Sequence, residues 1–285
     1  SEIEEYNQAN PSERVFVISY DDFNPYLDNY RVAIKSSDTN QVLKRFQLQD
    51  HMDAILSLGV THLVDLLTSE KVDLSVLSLD QRRDLLLLAA LYDASTGEPI
   101  ERRWSRLRRR SGFRPLWSRR DLQIGFGTTL AVVALVFLFP SLRSWSLLPW
   151  LLVPLVAGWV YWAWRIARAE WYSRDIRKGI KVLNRDPSAL RWELLWFRPS
   201  ELGGQPMPTA SRGRAEERYE LLRKFQGVLK TLGYGGGIVV LVDRVDEPQQ
   251  IEGDPRKMRA LMWPLLDHKF LRHPGIGAKL LLPIE

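Results

Sequence analysis

The stretch Gly237-Ile238-Val239-Val240-Leu241-Val242-Asp243-Arg244-Val245-Asp246-Glu247 constrains the fold of this chain more than any other. A continuous apolar run with β-branched residues, entered through glycine and left on an acid, predicts a strand buried on both faces of a parallel sheet. Ligands of open α/β sheets sit beyond the carboxyl ends of such strands, where the three acids fall. The fold class expected is α/β. A plainer role for acids at that point is to cap the next helix.

Other segments supply the rest of such a sheet. Helical composition over Ser1–Tyr6 ends at Asn10-Pro11, and Arg14–Ser19 then predicts a second core strand delivering Asp21 and Asp22. As turn formers these two acids suit an ordinary loop; as carboxylates they could also approach a nucleotide or a sensing residue. Asp254-Pro255 opens a helix near Arg256–Leu266, and Ala278–Leu282 is a third strand, so strand, helix and strand form a right-handed βαβ unit.

Apolar residues at helical spacing over Gln41–Leu67 and Leu79–Leu91 predict a helical subregion, with Ser78 or Asp80 starting the second helix. His51 and His62 lack metal-ligand spacing there and are expected as core or surface residues. His268 and His273 are expected at the surface. Leu190–Phe197 is an amphipathic piece, Gly203–Pro208 a mobile loop, and Arg214–Leu232 a basic amphipathic helix ending at Gly233. The glycines at 233, 235 and 236 precede a strand and lack a following Gly-Lys-Ser/Thr, so they do not form a phosphate loop.

Between these halves lie two uncharged runs, Leu122–Phe139 and Leu147–Trp164, each able to form a helix of roughly 27 Å, close to the hydrocarbon thickness of a bilayer. Nine arginines against Glu101 precede the pair, six cations follow it, and tryptophans cluster around it. That distribution predicts a transmembrane hairpin with both flanks in the cytoplasm. The alternative is a buried helical hairpin in a soluble domain.

The formal net charge of +6 is local: residues 101–120 carry +8 and the remainder sums to −2. A general nucleic-acid surface is not indicated, and contact with anionic lipid headgroups accounts for the block better than RNA does. Hydrophobic residues make 45% of the chain and charged ones 26%, which excludes disorder and uniform membrane embedding. Cysteine is absent, removing disulfides, thiolate metal sites and a cysteine nucleophile.

The acid-terminated run resembles the Walker B motif of P-loop NTPases, and its Asp-x-apolar-Asp-Glu form is most similar to the STAND and KAP groups. The order of elements, with a membrane hairpin between the strand after the P-loop and the Walker B strand, also resembles KAP proteins. The resemblance implies a parallel-sheet core of the additional-strand type, incomplete here and interrupted by a two-helix transmembrane hairpin. It further implies ATP and Mg²⁺ as cofactors, Asp243 on the metal, and Asp246 or Glu247 on the attacking water. It implies a multi-pass protein of the cytoplasmic (inner) membrane, with its ATPase portions in the cytoplasm. Its partners would be ATP and the lipid bilayer, with self-association or protein partners in addition, and its role would be to switch or organise membrane-associated complexes. Glu285 is the one candidate for a polar sensor at the end of the third strand.

Two departures stand beside this. No Gly-x4-Gly-Lys-Ser/Thr occurs in the chain, and Glu247 stands where the motif usually carries arginine. The chain is accordingly expected to be an internal piece, with a strand and glycine-rich turn within about 30 residues upstream of Ser1. The expected division is 1–100 (first NTPase portion), 101–181 (basic flank and hairpin) and 182–285 (second NTPase portion). A catalytically inactive membrane scaffold that keeps the NTPase shape is the competing expectation.

Overall fold

Three short apolar runs build one sheet: β1 (Val15–Tyr20), β2 (Gly237–Val242) and β3 (Ile276–Leu280). The order is β1-β2-β3, both pairings are parallel, and Val15 lies opposite Gly237 while Ile238 lies opposite Ile276. The structure is a computed structural model describing residues 2–11, 13–69, 72–113, 118–138, 148–210, 215–266 and 268–281. Strand β3 begins two residues before its expected start, because pairing opens at the turn glycine Gly275, whose carbonyl accepts the Ile238 N–H at 2.9 Å.

The helices are α1 (Glu2–Ala9), α2 (Asn24–Ile34), α3 (Thr39–Arg45), α4 (Leu48–Ser69), α5 (Leu79–Tyr92), α6 (Ile100–Arg110), α7 (Ser118–Leu138), α8 (Leu148–Gly179), α9 (Pro187–Leu194), α10 (Pro199–Gly203), α11 (Ala215–Thr231), α12 (Pro255–Met262) and α13 (His268–Leu271). Local chemistry fixes several ends. Ser78 and Gln81 form a reciprocal capping box that starts α5. Asp254 accepts from the Arg256 N–H and Pro255 takes the first turn of α12, which gives way to a 3-10 turn at Trp263. Gly233, at φ 95°, closes α11, and the Tyr234 N–H returns to the Leu229 carbonyl.

Two compact units result: residues 1–113, 175–186 and 206–285, and residues 114–174 with 187–205. Residues 101–113, with most of α6, fall in the first unit.

In the first unit the sheet is buried on one face, not two as expected. Phe16, Ile18 and Tyr20 of β1 and Ile238, Val240 and Val242 of β2 are all buried. Their neighbours Val17, Val239 and Leu241 are half-buried, and β3 alternates between half-buried and exposed. The cause is that α4 and α11, which contact β1 and β2, pack on the same side. Helix α4 approaches β1 at Gly59, where a Cβ would stand 2.7 Å from Ile18 Cδ1 and 2.9 Å from Phe225 Cε1. Phe16 meets Phe225 edge-on at 5.7 Å, and fully burying each such ring contributes about 1.5–3 kcal/mol.

The side of β1 away from β2 is met by α1. Asn7 Nδ2 donates to the Val15 carbonyl at 3.0 Å, and Asn7 Oδ1 accepts the Val15 N–H at 2.7 Å. Among the described residues, α4 is the one helix long and apolar enough to cross a membrane; it is the core helix of this unit.

The second half of the expected mobile loop is packed, while Gly203 and Gly204 are exposed. Met207 and Thr209 are buried, and Gly179 permits it, since a Cβ there would overlap the Pro208 carbonyl.

The second unit holds α7, most of α8, α9 and α10. Helix α8 runs past the expected span end at Trp164 into a charged stretch ending at Gly179. Trp159 lies over Gly125, and its indole N–H donates to Thr129 Oγ1 at 3.0 Å. Phe126, Leu130, Phe137, Leu138, Val153 and Val156 are exposed. Residues 139 and 147, the inner limits of the two expected spans, lie outside the described residues.

Candidate functional site

The acids begin where β2 ends. The Asp243 N–H still pairs with the Tyr20 carbonyl at 3.3 Å, so Asp243 leaves the central strand beside the end of β1. Arg244 then adopts φ 53°, a left-handed conformation that turns the chain sharply and sends Val245 into the core with no exposure. Asp243 Oδ1 accepts the Arg244 N–H at 2.8 Å, which holds the turn. Asp243 and Asp246 are half-buried, whereas Glu247 is exposed, with its carboxylate 3.8 Å from Arg244 Nε.

The segment after the acids is anchored by α2. Asn24 Oδ1 accepts the Gln249 N–H at 3.0 Å, and Asp28 accepts from Gln250 Nε2 at 3.2 Å. Asp22 in turn accepts the Asn24 N–H at 3.1 Å. The parallel register, with Tyr20 opposite Val242, therefore brings Asp21 and Asp22 to the same sheet end as Asp243, Asp246 and Glu247. Glu285 lies outside the described residues. Among the described residues no group of three or more His, Cys, Asp or Glu side chains is placed to hold a metal ion.

Beneath this end lies a buried polar network. His51 is fully buried; its Nε2 sits 2.9 Å from the Leu261 carbonyl and its Nδ1 3.1 Å from Tyr20 Oη. A carbonyl only accepts, so Nε2 carries the proton and the Tyr20 hydroxyl donates to Nδ1. Burial lowers the His51 pKa to about 4, against the Leu261 hydrogen bond, and the ring is neutral.

Its neighbour Asp50 accepts the Gln47 N–H at 2.8 Å. Burial raises the Asp50 pKa to about 7, opposed by that hydrogen bond and assisted by Asp53.

Asp53 of α4, three residues after Asp50, and Arg218 of α11 form a fully buried bidentate ion pair at 3.1 and 3.2 Å. Tyr92 donates to the same carboxylate at 2.7 Å, and Arg218 Nη2 also donates to the Gly179 carbonyl at 3.1 Å. Burial works against the Arg218 charge, but Asp53 outweighs it and holds the guanidinium protonated. Helix α11 is the expected amphipathic helix, and its Arg218 lies inside, since Asp53 gives its charge a partner.

The arginine block is also partly internal. Buried Arg103 bridges Asp93 at 3.0 and 3.1 Å and Asp65 at 2.5 Å. Arg106 pairs with Glu98 at 2.7 Å, and Arg110 donates to the carbonyls of Leu67 in the last turn of α4 and of Val72 beyond it. Arg114, Arg119 and Arg120 have side chains outside the described set. The expected surface position of His273 is likewise overturned: it is buried and stacks on Tyr219 at 5.3 Å.

A cavity of about 470 Å³ opens at the β1 side of the sheet end. Asp21 and Asp22 line it; Asp243, Asp246 and Glu247 do not.

The fold and site define an α/β protein with a three-stranded parallel sheet and carboxylates at its carboxyl end. A scan against family models and searches of curated proteins and of solved structures return no match for the chain.

Proposed function

We propose that this chain contributes the sheet and the acidic side of a membrane-anchored, Mg²⁺-dependent P-loop ATPase, acting as a switch or organiser of membrane-associated complexes. The observation that carries the reading is the position of Asp243: it leaves the central strand of a parallel sheet, flanked by the carboxyl end of β1. The exposed apolar side chains of α7 and α8 support insertion in lipid.

The residues present fit one side of such a site. Mg²⁺ is commonly held by one or two carboxylates together with substrate phosphates, so a three-carboxylate cage is not required. When bound, Mg·ATP would supply the phosphoryl group and the charge that organises its oxygens. Asp243 would hold the metal directly or through water. Asp246 or Glu247 would accept the proton of a water. Glu247 is free to turn inward at small cost, since its exposed contact with Arg244 is of a kind worth about 0–1 kcal/mol.

The test is to read the coding sequence upstream of Ser1 and to measure ATP turnover by the protein including that region. Turnover should depend on Mg²⁺ and drop about 100-fold or more in Asp243→Asn. An initiator methionine upstream with no Gly-x4-Gly-Lys-Ser/Thr would sink the reading, as would turnover by residues 1–285 alone. A second reading, an inactive membrane scaffold, is favoured by one observation: Asp243 spends a carboxylate oxygen on its neighbour's amide. It predicts full biological function in Asp243→Asn.

A further inference from the structure

We propose that the cavity beside Asp21 and Asp22 is a binding site for a small organic cation with an apolar or aromatic body. The site is separate from the acids after β2, and the inference does not depend on nucleotide chemistry. Its volume of about 470 Å³ lies within the range of small-molecule pockets. Tyr26, Leu58 and Ile100 give it apolar walls, and Asp21 and Asp22 stand at its rim.

The charged side chains of the lining are Asp21, Asp22, Asp93 and Arg185, so acids outnumber the one cation. Asn29 donates through Nδ2 to the Val182 carbonyl at 3.1 Å, which fixes the amide orientation and leaves Oδ1 as the atom on offer. Arg185, the cation of the lining, donates to the main-chain carbonyls of Ala89 and Asp93. The Asp93 carboxylate is itself taken by Arg103. Among the described residues, neither Asp21 nor Asp22 forms an ion pair. A cavity with apolar walls and two carboxylates without cations, whose arginine spends Nη2 on main-chain carbonyls, selects a donor-bearing cation over an anion.

Leu183, Asn184 and Arg185 come from the segment that follows α8, so an occupant would also hold that segment. Tyr26, whose pKa burial raises to about 12, stays neutral and serves as an aromatic wall.

Benzamidinium, benzamide and benzoate share one shape and carry opposite or no charge, which makes them suitable probes. They are titrated against the full chain by calorimetry at low salt, with hydrogen exchange of residues 182–186 as a second readout. Benzamidinium should saturate below about 10 mM, bind about tenfold more tightly than benzamide, and slow exchange at 182–186. The Asp21→Asn/Asp22→Asn variant should weaken it about tenfold with an unchanged far-ultraviolet spectrum, and Leu58→Trp should abolish binding by filling the cavity. Absence of saturable benzamidinium binding overturns the proposal. So does equal or tighter binding of benzoate, or benzamidinium affinity unaltered in the double variant.

Discussion

Asp50 and His51 are adjacent, buried, and displaced in opposite directions, which makes a specific pH experiment possible. Asp50 rises from 3.8 to about 7, so the folded state holds its proton where the unfolded chain has lost it. Stability from this group is present at low pH and is lost as pH rises from about 4 to about 7. A displacement of about 3 pKa units corresponds to ~4 kcal/mol. His51 falls from 6.5 to about 4, so the folded state resists a proton that the unfolded chain accepts. Its contribution is lost as pH falls from about 6.5 to about 4, a loss of ~3 kcal/mol.

In the shared window the two slopes oppose, and the native protein should show a nearly flat profile from these residues. Asp50→Asn keeps an oxygen to accept the Gln47 N–H and removes one slope. The variant should then lose ~1.4 kcal/mol per pH unit below about 6.5, while exceeding the parent by up to ~4 kcal/mol at pH 8. Urea unfolding midpoints for both proteins from pH 4 to 8, in one detergent, read this directly. Parallel curves, or a variant less stable than the parent at pH 8, would refute the reasoning.

Three further outcomes follow from the packing. Arg218→Met strands the Asp53 charge and should cost about 3–5 kcal/mol, whereas Arg218→Met/Asp53→Leu should recover most of that loss in the same unfolding assay. Gly179→Ala places a methyl group against the Pro208 carbonyl; denaturant titration should show a loss of about 1–3 kcal/mol. Leu130→Arg puts a charge on an exposed apolar position of α7 and should reduce the membrane-bound fraction in vesicle flotation, while a protein never inserted in lipid would be unaffected.

How much was legible in the sequence depends on how local the signal was. The strand that ends just before Asp243 was readable because an unbroken β-branched run has one economical use. The starts of α5 and α12 were readable because Ser78 with Gln81, and Asp254 with Pro255, act within a single turn. The Asp53–Arg218 pair was not, since its members lie 165 residues apart and each alone resembles a surface charge. The burial of Met207 and Thr209 depended on a missing Cβ at Gly179, which no neighbouring residue announces. One-sided burial of the sheet was hidden for a related reason: Val239 and Leu241 are as apolar as Val240, and only the placement of α4 and α11 separates the two faces.

The amide of Asn7 has a consequence for how this sheet can grow. By gripping both main-chain groups of Val15, it acts as a one-residue stopper on that flank. On the opposite flank, Ala278 and Leu280 turn their peptide groups outward, since Gly275 and Leu281 are the residues bonded toward β2. A further strand thus meets outward peptide groups along β3, whereas on the Asn7 flank the first rung is already taken.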